Sequence, residues 1–176
     1  MLTLALLRHA KSSWADPTLD DFDRPLNARG AAAAPVMGRA IAELGIAPDL
    51  ILCSTSRRTR ETLTGLLPLI GHTTVEFEDR LYLASAQDLI GRLQHVTHDE
   101  HGRPSSVLVI GHNPGLHSCA VMLAGKGDAR ALIRLQDRFP TGALAVINFE
   151  ARAWRDIAAA TGVLERFITP KDPAKD

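Results

Sequence analysis

Short, unbroken apolar runs alternate along this chain with stretches of helical spacing. Thr3-Leu4-Ala5-Leu6-Leu7, Asp49-Leu50-Ile51-Leu52-Cys53 and Ser106-Val107-Leu108-Val109-Ile110 have the pattern of strands buried on both faces of a parallel sheet. Each is followed by small or polar residues and then by helical sequence, which is β-then-α punctuation. Two later runs, residues 144–149 and 154–159, are separated by Glu150-Ala151-Arg152-Ala153 and predict a terminal hairpin, which would make one edge of the sheet antiparallel.

Between the first two strands, Asn27 can cap a helix running to about residue 44, where Gly45 and Pro48 would end it. Pro35 removes a backbone donor inside that span, so a kink or a later helix start is expected. Further helices are expected at about residues 57–69, 86–97 and 116–124. The aspartate- and proline-bearing stretch 14–24 is expected to be a loop, Gly125-Lys126-Gly127 a turn, and the polar tail 169–176 frayed. Alternation of this kind predicts an α/β fold: a three-layer α/β/α sandwich around a mostly parallel central sheet, as a single domain over residues 1–168.

The length of 176 residues suits one core, and 45% hydrophobic with 23% charged residues excludes wholesale disorder and a disulfide mini-scaffold. Twenty Lys plus Arg balance twenty Asp plus Glu, so no global field favours nucleic acid or a membrane surface, and anion recognition must be local. Cys53 and Cys119 sit in apolar segments without a Cys-x-x-Cys spacing and read as buried, reduced thiols. No apolar run approaches the ~20 residues of a membrane span. A cytoplasmic protein is expected.

In an open α/β sheet, ligands bind beyond the carboxyl ends of the strands. All three central runs deliver reactive side chains there: Arg8-His9 after the first, Arg57-Arg58 and Arg60 after the second, and Gly111-His112-Asn113-Pro114-Gly115 after the third. Guanidinium forks and helix N-termini suit a phosphoryl group, and a neutral imidazole can attack phosphorus to give a covalent phosphohistidine. Positive side chains around the phosphoryl group could then do the work of a metal ion, so neither metal nor cofactor is required.

Leu7-Arg8-His9-Ala10-Lys11-Ser12 resembles the nucleophile motif of the histidine phosphatase superfamily, which includes phosphoglycerate mutases. Asp21-x-x-Arg24-Pro25-Leu26-x-x-x-Gly30, the segment from Ser54 to Thr62, and Val109-Ile110-Gly111-His112-Asn113-Pro114-Gly115 are similar in order and spacing to SixA-type phosphohistidine phosphatases. The resemblance implies a phosphoglycerate mutase-like fold and a metal-independent phosphatase. His9 would be the nucleophile, with Arg8 and Arg58 clamping the phosphoryl oxygens and His112 contacting the same group. Ser12 and Arg24 would be secondary phosphate contacts, and Glu78 lies in the region where mutases carry a proton donor. Ala10 and the Asn113-Pro114 pair favour the SixA side. Thr55 departs from the proline common at that position, which loosens the expected loop before Arg58. The short stretch between Arg58 and His112 leaves little room for the cap insertions of mutases, so an open pocket could admit a phosphorylated side chain of another protein.

The substrate implied is thus a phosphohistidine protein. The alternatives are a small phosphomonoester handled by a general phosphatase or mutase-like enzyme, and a phospho-ligand binder without catalysis. His95, His98 and His101 invite a zinc reading, but their spacing rotates successive ligands around a helix that Gly102-Arg103-Pro104 is already ending, and a solvated helix C-terminus is the better account. His72 and His117 lack a partner motif and read as structural. No dinucleotide or P-loop fingerprint follows any strand, and aromatic residues at 5% leave little for single-stranded nucleic acid to stack on.

Overall fold

The computed structural model describes residues 1–71, 73–97, 102 and 104–172. Seven strands form one sheet: β1 (Leu2–Arg8), β2 (Leu50–Ser54), β3 (Thr74–Glu78), β4 (Ser106–Gly111), β5 (Ala124–Gly127), β6 (Leu144–Phe149) and β7 (Gly162–Ile168), in the order β3-β2-β4-β1-β6-β7-β5. Among the described residues five α-helices accompany them: α1 (Ala28–Glu43), α2 (Arg57–Ile70), α3 (Ala86–Gln94), α4 (Gly115–Leu123) and α5 (Ala129–Asp137).

Strand periodicity builds the layers. In β1, Leu4 and Leu6 face one cluster that includes Leu89 and Leu93 of α3, Leu116 and Leu123 of α4, and Leu135 of α5. Ala5 and Leu7 face the other, with Met37 and Ile41 of α1 and Leu63 and Leu66 of α2. Successive side chains point to opposite faces, so a run apolar at every position must be covered on both, and the expected three-layer α/β sandwich results.

The antiparallel element is a single strand inside the sheet. β6 pairs antiparallel with β1 on one side and with β7 on the other, while β5 pairs parallel with β7. The expected second hairpin strand at 154–159 is not formed. Trp154–Asp156 is a 3-10 turn, with the Trp154 indole fully buried and donating to Pro104 O at 2.6 Å, and the strand that pairs with β6 is β7. Trp154 and Ile157, three positions apart and both buried, are two anchors of a wide connection rather than a pleat. Lys126, expected in a turn, lies in the short strand β5, paired to Val163.

Helix α1 starts where its cap predicts. The Asn27 side chain accepts from Gly30 N at 2.9 Å, and the helix runs through Pro35 to Glu43. The proline forgoes one bond, to the carbonyl of Ala31, and neither a delayed start nor a break results. Helix α3 ends at Gln94 with His95 at its C-cap, earlier than expected. Cys53 and Cys119 are free, buried thiols, both pushed up to about 12 by burial. Of the expected tail, residues 169–172 fold back through Asp172, which accepts from Thr169 N at 2.6 Å and pairs with Arg134 at 2.8 Å. Residues 173–176, like His72, His98 and His101, lie outside the described residues. Among the described residues no helix is long and apolar enough to cross a membrane.

Candidate active site

The parallel register of β1 and β4 pairs Arg8 with Gly111, so the next residues, His9 and His112, leave adjacent strands at one level. Their ring centroids are 5.2 Å apart. β2 ends alongside at Ser54, and Arg58 occupies the first turn of α2. The two imidazoles and Arg58 are buried, with Arg58 and His112 each only 3% exposed.

His9 Nδ1 lies 2.7 Å from Ala10 O. A carbonyl can only accept, so Nδ1 carries the proton and Nε2 carries the lone pair. Burial, and then the charges of Arg58, Arg8 and Arg24, outweigh that hydrogen bond and push His9 down to about 4. The imidazole is therefore neutral at neutral pH, which a nucleophile requires. His112 Nδ1 lies 3.4 Å from Arg58 Nη2, a weak contact in which only the guanidinium can donate. Its Nε2 is then the protonated nitrogen and donates to Ser54 Oγ at 2.9 Å. Burial, with His9 and Arg58 nearby, pushes His112 down to about 3.

Arg8 donates through Nη1 to Phe139 O at 2.9 Å. Its Nε is buried without an acceptor among the described residues, and Asn113 Oδ1 is buried without a donor. Such an orphan donor is uncommon in a native interior and is what an anion-binding arginine would leave open. Burial, then the charge of Arg58, lowers Arg8 from its usual value. The loop that follows is tied down from both sides: Gly142 N donates to His9 O at 3.1 Å, and Ala10 N donates to Thr62 Oγ1 at 3.0 Å. Thr62 in turn donates to Arg58 O at 2.6 Å, linking the His9 loop to the helix that carries Arg58.

Arg24 donates to Ser12 Oγ at 2.7 Å and to Ser13 O at 2.8 Å, so both expected secondary residues lie on the loop leaving His9. Trp14 covers the guanidinium of Arg24 at 3.1 Å from the ring centroid. Glu78 is the expected residue that these contacts do not reach. It ends the edge strand β3, and its carboxylate is held by Arg92 at 2.6 Å with Arg80 at 3.9 Å. Thr55, the departure from the family pattern, donates to Asp79 Oδ1 at 2.6 Å, a side-chain tether where a proline ring would have stiffened the loop.

Two residues to which the sequence assigns no role join the cluster. Asp21 accepts from Arg58 at 2.9 Å, from Arg24 at 2.7 Å and from the Tyr82 hydroxyl at 2.6 Å. Burial alone would raise its pKa, but the hydrogen bonds from Tyr82, Arg24 and Arg58 outweigh it and hold Asp21 down to about 2. The Tyr82 ring stands edge-on to His112 at 5.3 Å. Asp21 could have been found through the Asp-x-x-Arg-Pro segment, whereas nothing in the sequence marks Tyr82.

Known proteins resemble this chain in sequence and in fold. Residues 4–103 match the family model of the histidine phosphatase superfamily (branch 1). An uncharacterised protein of Mycobacterium tuberculosis is 32% identical over 171 residues, covering 94% of this chain and 100% of its own. A candidate phosphohistidine phosphatase SixA of Nakamurella multipartitia has the same fold, with a TM-score of 0.82, 30% identity and 97% of both chains covered. Another, from Agrobacterium tumefaciens, has a TM-score of 0.76 at 29% identity, covering 96% of this chain and 98% of that one. The chain belongs to the histidine phosphatase superfamily, on its SixA-type side. Its fold is accordingly phosphoglycerate mutase-like and its class that of a phosphatase.

Proposed function

We propose that this protein is a metal-independent phosphohistidine phosphatase that works through a phosphoryl group carried on His9. The observation that carries the reading is the hydrogen bond from His9 Nδ1 to Ala10 O, which leaves Nε2 as a neutral nucleophile among Arg8, Arg58 and His112. In the first step Nε2 attacks phosphorus as the bond to the leaving nitrogen breaks. A phosphohistidine leaving group protonated beforehand departs as neutral imidazole, so this step needs no strong acid from Glu78. Water then attacks phospho-His9, releasing inorganic phosphate and restoring the imidazole. Arg8 and Arg58 hold the equatorial oxygens, supplying the charge stabilisation that a metal gives elsewhere, and the neutral His112 joins them as a hydrogen-bond donor when its Nε2–H turns from Ser54 Oγ to the phosphoryl group. Ser12 and Arg24 act from the adjoining loop.

A phosphoprotein substrate in the cytoplasm is part of the proposal. It is supported by the exposed Trp14, 74% accessible beside the site, and by the free thiols of both cysteines. The test is a radiolabelled phosphohistidine protein quenched in acid or alkali. Wild-type enzyme should carry an alkali-stable, acid-labile label that His9→Ala lacks, and His9→Ala should lose roughly 10⁴-fold in kcat. No label on wild-type enzyme, or an equal label on the variant, removes covalent catalysis and leaves a phospho-ligand binder. Faster turnover of 3-phosphoglycerate than of phosphohistidine would make the enzyme mutase-like.

A further inference from the structure

Although the whole chain is neutral, one side of the site's mouth is not. A groove of about 670 Å³ is lined by five cations, Lys11, Arg29, Arg134, Arg138 and Lys171, against one carboxylate, Asp137. Arg134 is engaged by Asp172 and Arg138 by Asp137, at 2.8 and 3.3 Å. Lys11, Arg29 and Lys171 are exposed and have no ion-pair partner among the described residues. Between them Val36, Pro140 and Phe167 offer an apolar floor.

The groove opens at the catalytic end of the sheet. β6 runs opposite to both β1 and β7, so β7 points the same way as β1 and ends at Ile168, level with Leu7, which brings Phe167 and Thr169 to the edge where His9 sits. Lys11 is two residues beyond His9, and Pro140 follows Phe139, whose carbonyl holds both Arg8 and Asn113. The groove and the phosphoryl site thus share a wall.

We infer that this groove is the docking track for an acidic peptide segment flanking the phosphorylated residue of a protein substrate. The inference rests on the phosphohistidine reading for its substrate class. A local concentration of positive charge in a neutral protein selects an anionic partner. A trough with an apolar floor and three unengaged cations along its walls suits an extended chain with spaced carboxylates better than a single small anion.

Two charge reversals test the track without touching the catalytic cluster. Arg29→Glu places an acid in the first turn of α1, where the helix dipole favours it, and Lys171→Glu lies in an exposed turn. A fluorescent, unphosphorylated Glu-rich peptide should bind wild-type protein in a salt-dependent way, and the double variant should weaken it about tenfold. With phosphohistidine peptides, the double variant should raise KM by a similar factor for Glu-flanked sequences only. Its kcat, and its turnover of p-nitrophenyl phosphate, should stay unchanged.

Unaltered peptide binding by the variant overturns the track. So does an equal loss from Arg155→Glu, a reversal at the exposed 3-10 turn 154–156, or tighter binding of an oligothymidylate than of the peptide. If the variant loses the peptide but no phosphohistidine peptide is ever turned over, the track stands and the substrate reading falls. If Glu- and Lys-flanked peptides are turned over alike, the reverse holds.

Discussion

Arg58 and Asp21 are joined twice: the guanidinium donates to the backbone carbonyl of Asp21 through Nη1 and to its carboxylate through Nη2. The pair crosses from α2 to the loop after His9 and gives a buried cation its counter-charge before any substrate arrives. A phosphoryl group bound as proposed would have to share the same fork with Asp21. The carboxylate holds Arg58 in place, and in that reading it would also compete for it.

Asp21→Asn separates these two effects. Removing the charge should tighten inhibition by inorganic phosphate several-fold, because Arg58 is freed to bind it. The kcat should fall roughly tenfold as Arg58 and Arg24 lose their anchor. Stability should drop by only about 1 kcal/mol, since the Asp21 side chain is 45% exposed and water replaces part of what is lost. Steady-state kinetics with phosphate inhibition and urea unfolding read the three quantities, and weaker phosphate inhibition would show that Asp21 only supports the arginine.

The two imidazoles should make the fold acid-sensitive. Their folded pKa values, about 4 for His9 and about 3 for His112, lie below the ordinary value of 6.5. The unfolded chain therefore takes up protons first as pH falls. Stability is intact above about pH 6.5 and is lost as pH drops through about 4, on the order of 3 kcal/mol from His9 alone. Urea midpoints at pH 7, 5 and 4 should fall steeply for wild-type protein and less for His9→Asn/His112→Asn. Parallel curves would mean that other groups drive acid unfolding.

Glu78→Gln should leave phosphohistidine turnover within about twofold. The carboxylate is engaged by Arg92, and loss of that partly exposed pair costs at most about 1 kcal/mol. A loss of kcat far beyond twofold, with stability unchanged, would return Glu78 to the role of proton donor.

What could be read from the sequence divides along a physical line. β1, β2 and β4 are covered on both faces, so their apolar runs are unambiguous, and the residues ending them announced His9, Arg58 and His112 together. β3 lies at the sheet edge with Thr74, Glu76 and Phe77 exposed, so the pattern that marks a buried strand is missing. Trp154 and Ile157 carry a strand-like apolar signal ahead of β7, but their burial serves the loop before it. Asp21 and Tyr82 meet Arg58 only through tertiary folding across three segments, and no periodicity encodes that.

The loop carrying the nucleophile leans on a glycine. In the first turn of α1, a Cβ on Gly30 would run into the carbonyl oxygen of Lys11, the same oxygen that accepts from Asn27 N at 2.9 Å. That neighbour is backbone and cannot rotate aside. Gly30→Ala should therefore cost about 1–3 kcal/mol, against the helix propensity that favours alanine by roughly 1 kcal/mol. Because Lys11 follows Ala10, whose carbonyl fixes the His9 tautomer, kcat should fall as well. Gly91→Ala in α3 is the matched control: no atom lies within 4 Å of its new methyl, so it should stabilise by about 0.5–1 kcal/mol without changing turnover. Thermal unfolding and kcat measured on the two variants should move in opposite directions for stability and diverge for activity. A Gly30→Ala protein as stable and active as wild type would mean that the helix can withdraw from the His9 loop without cost.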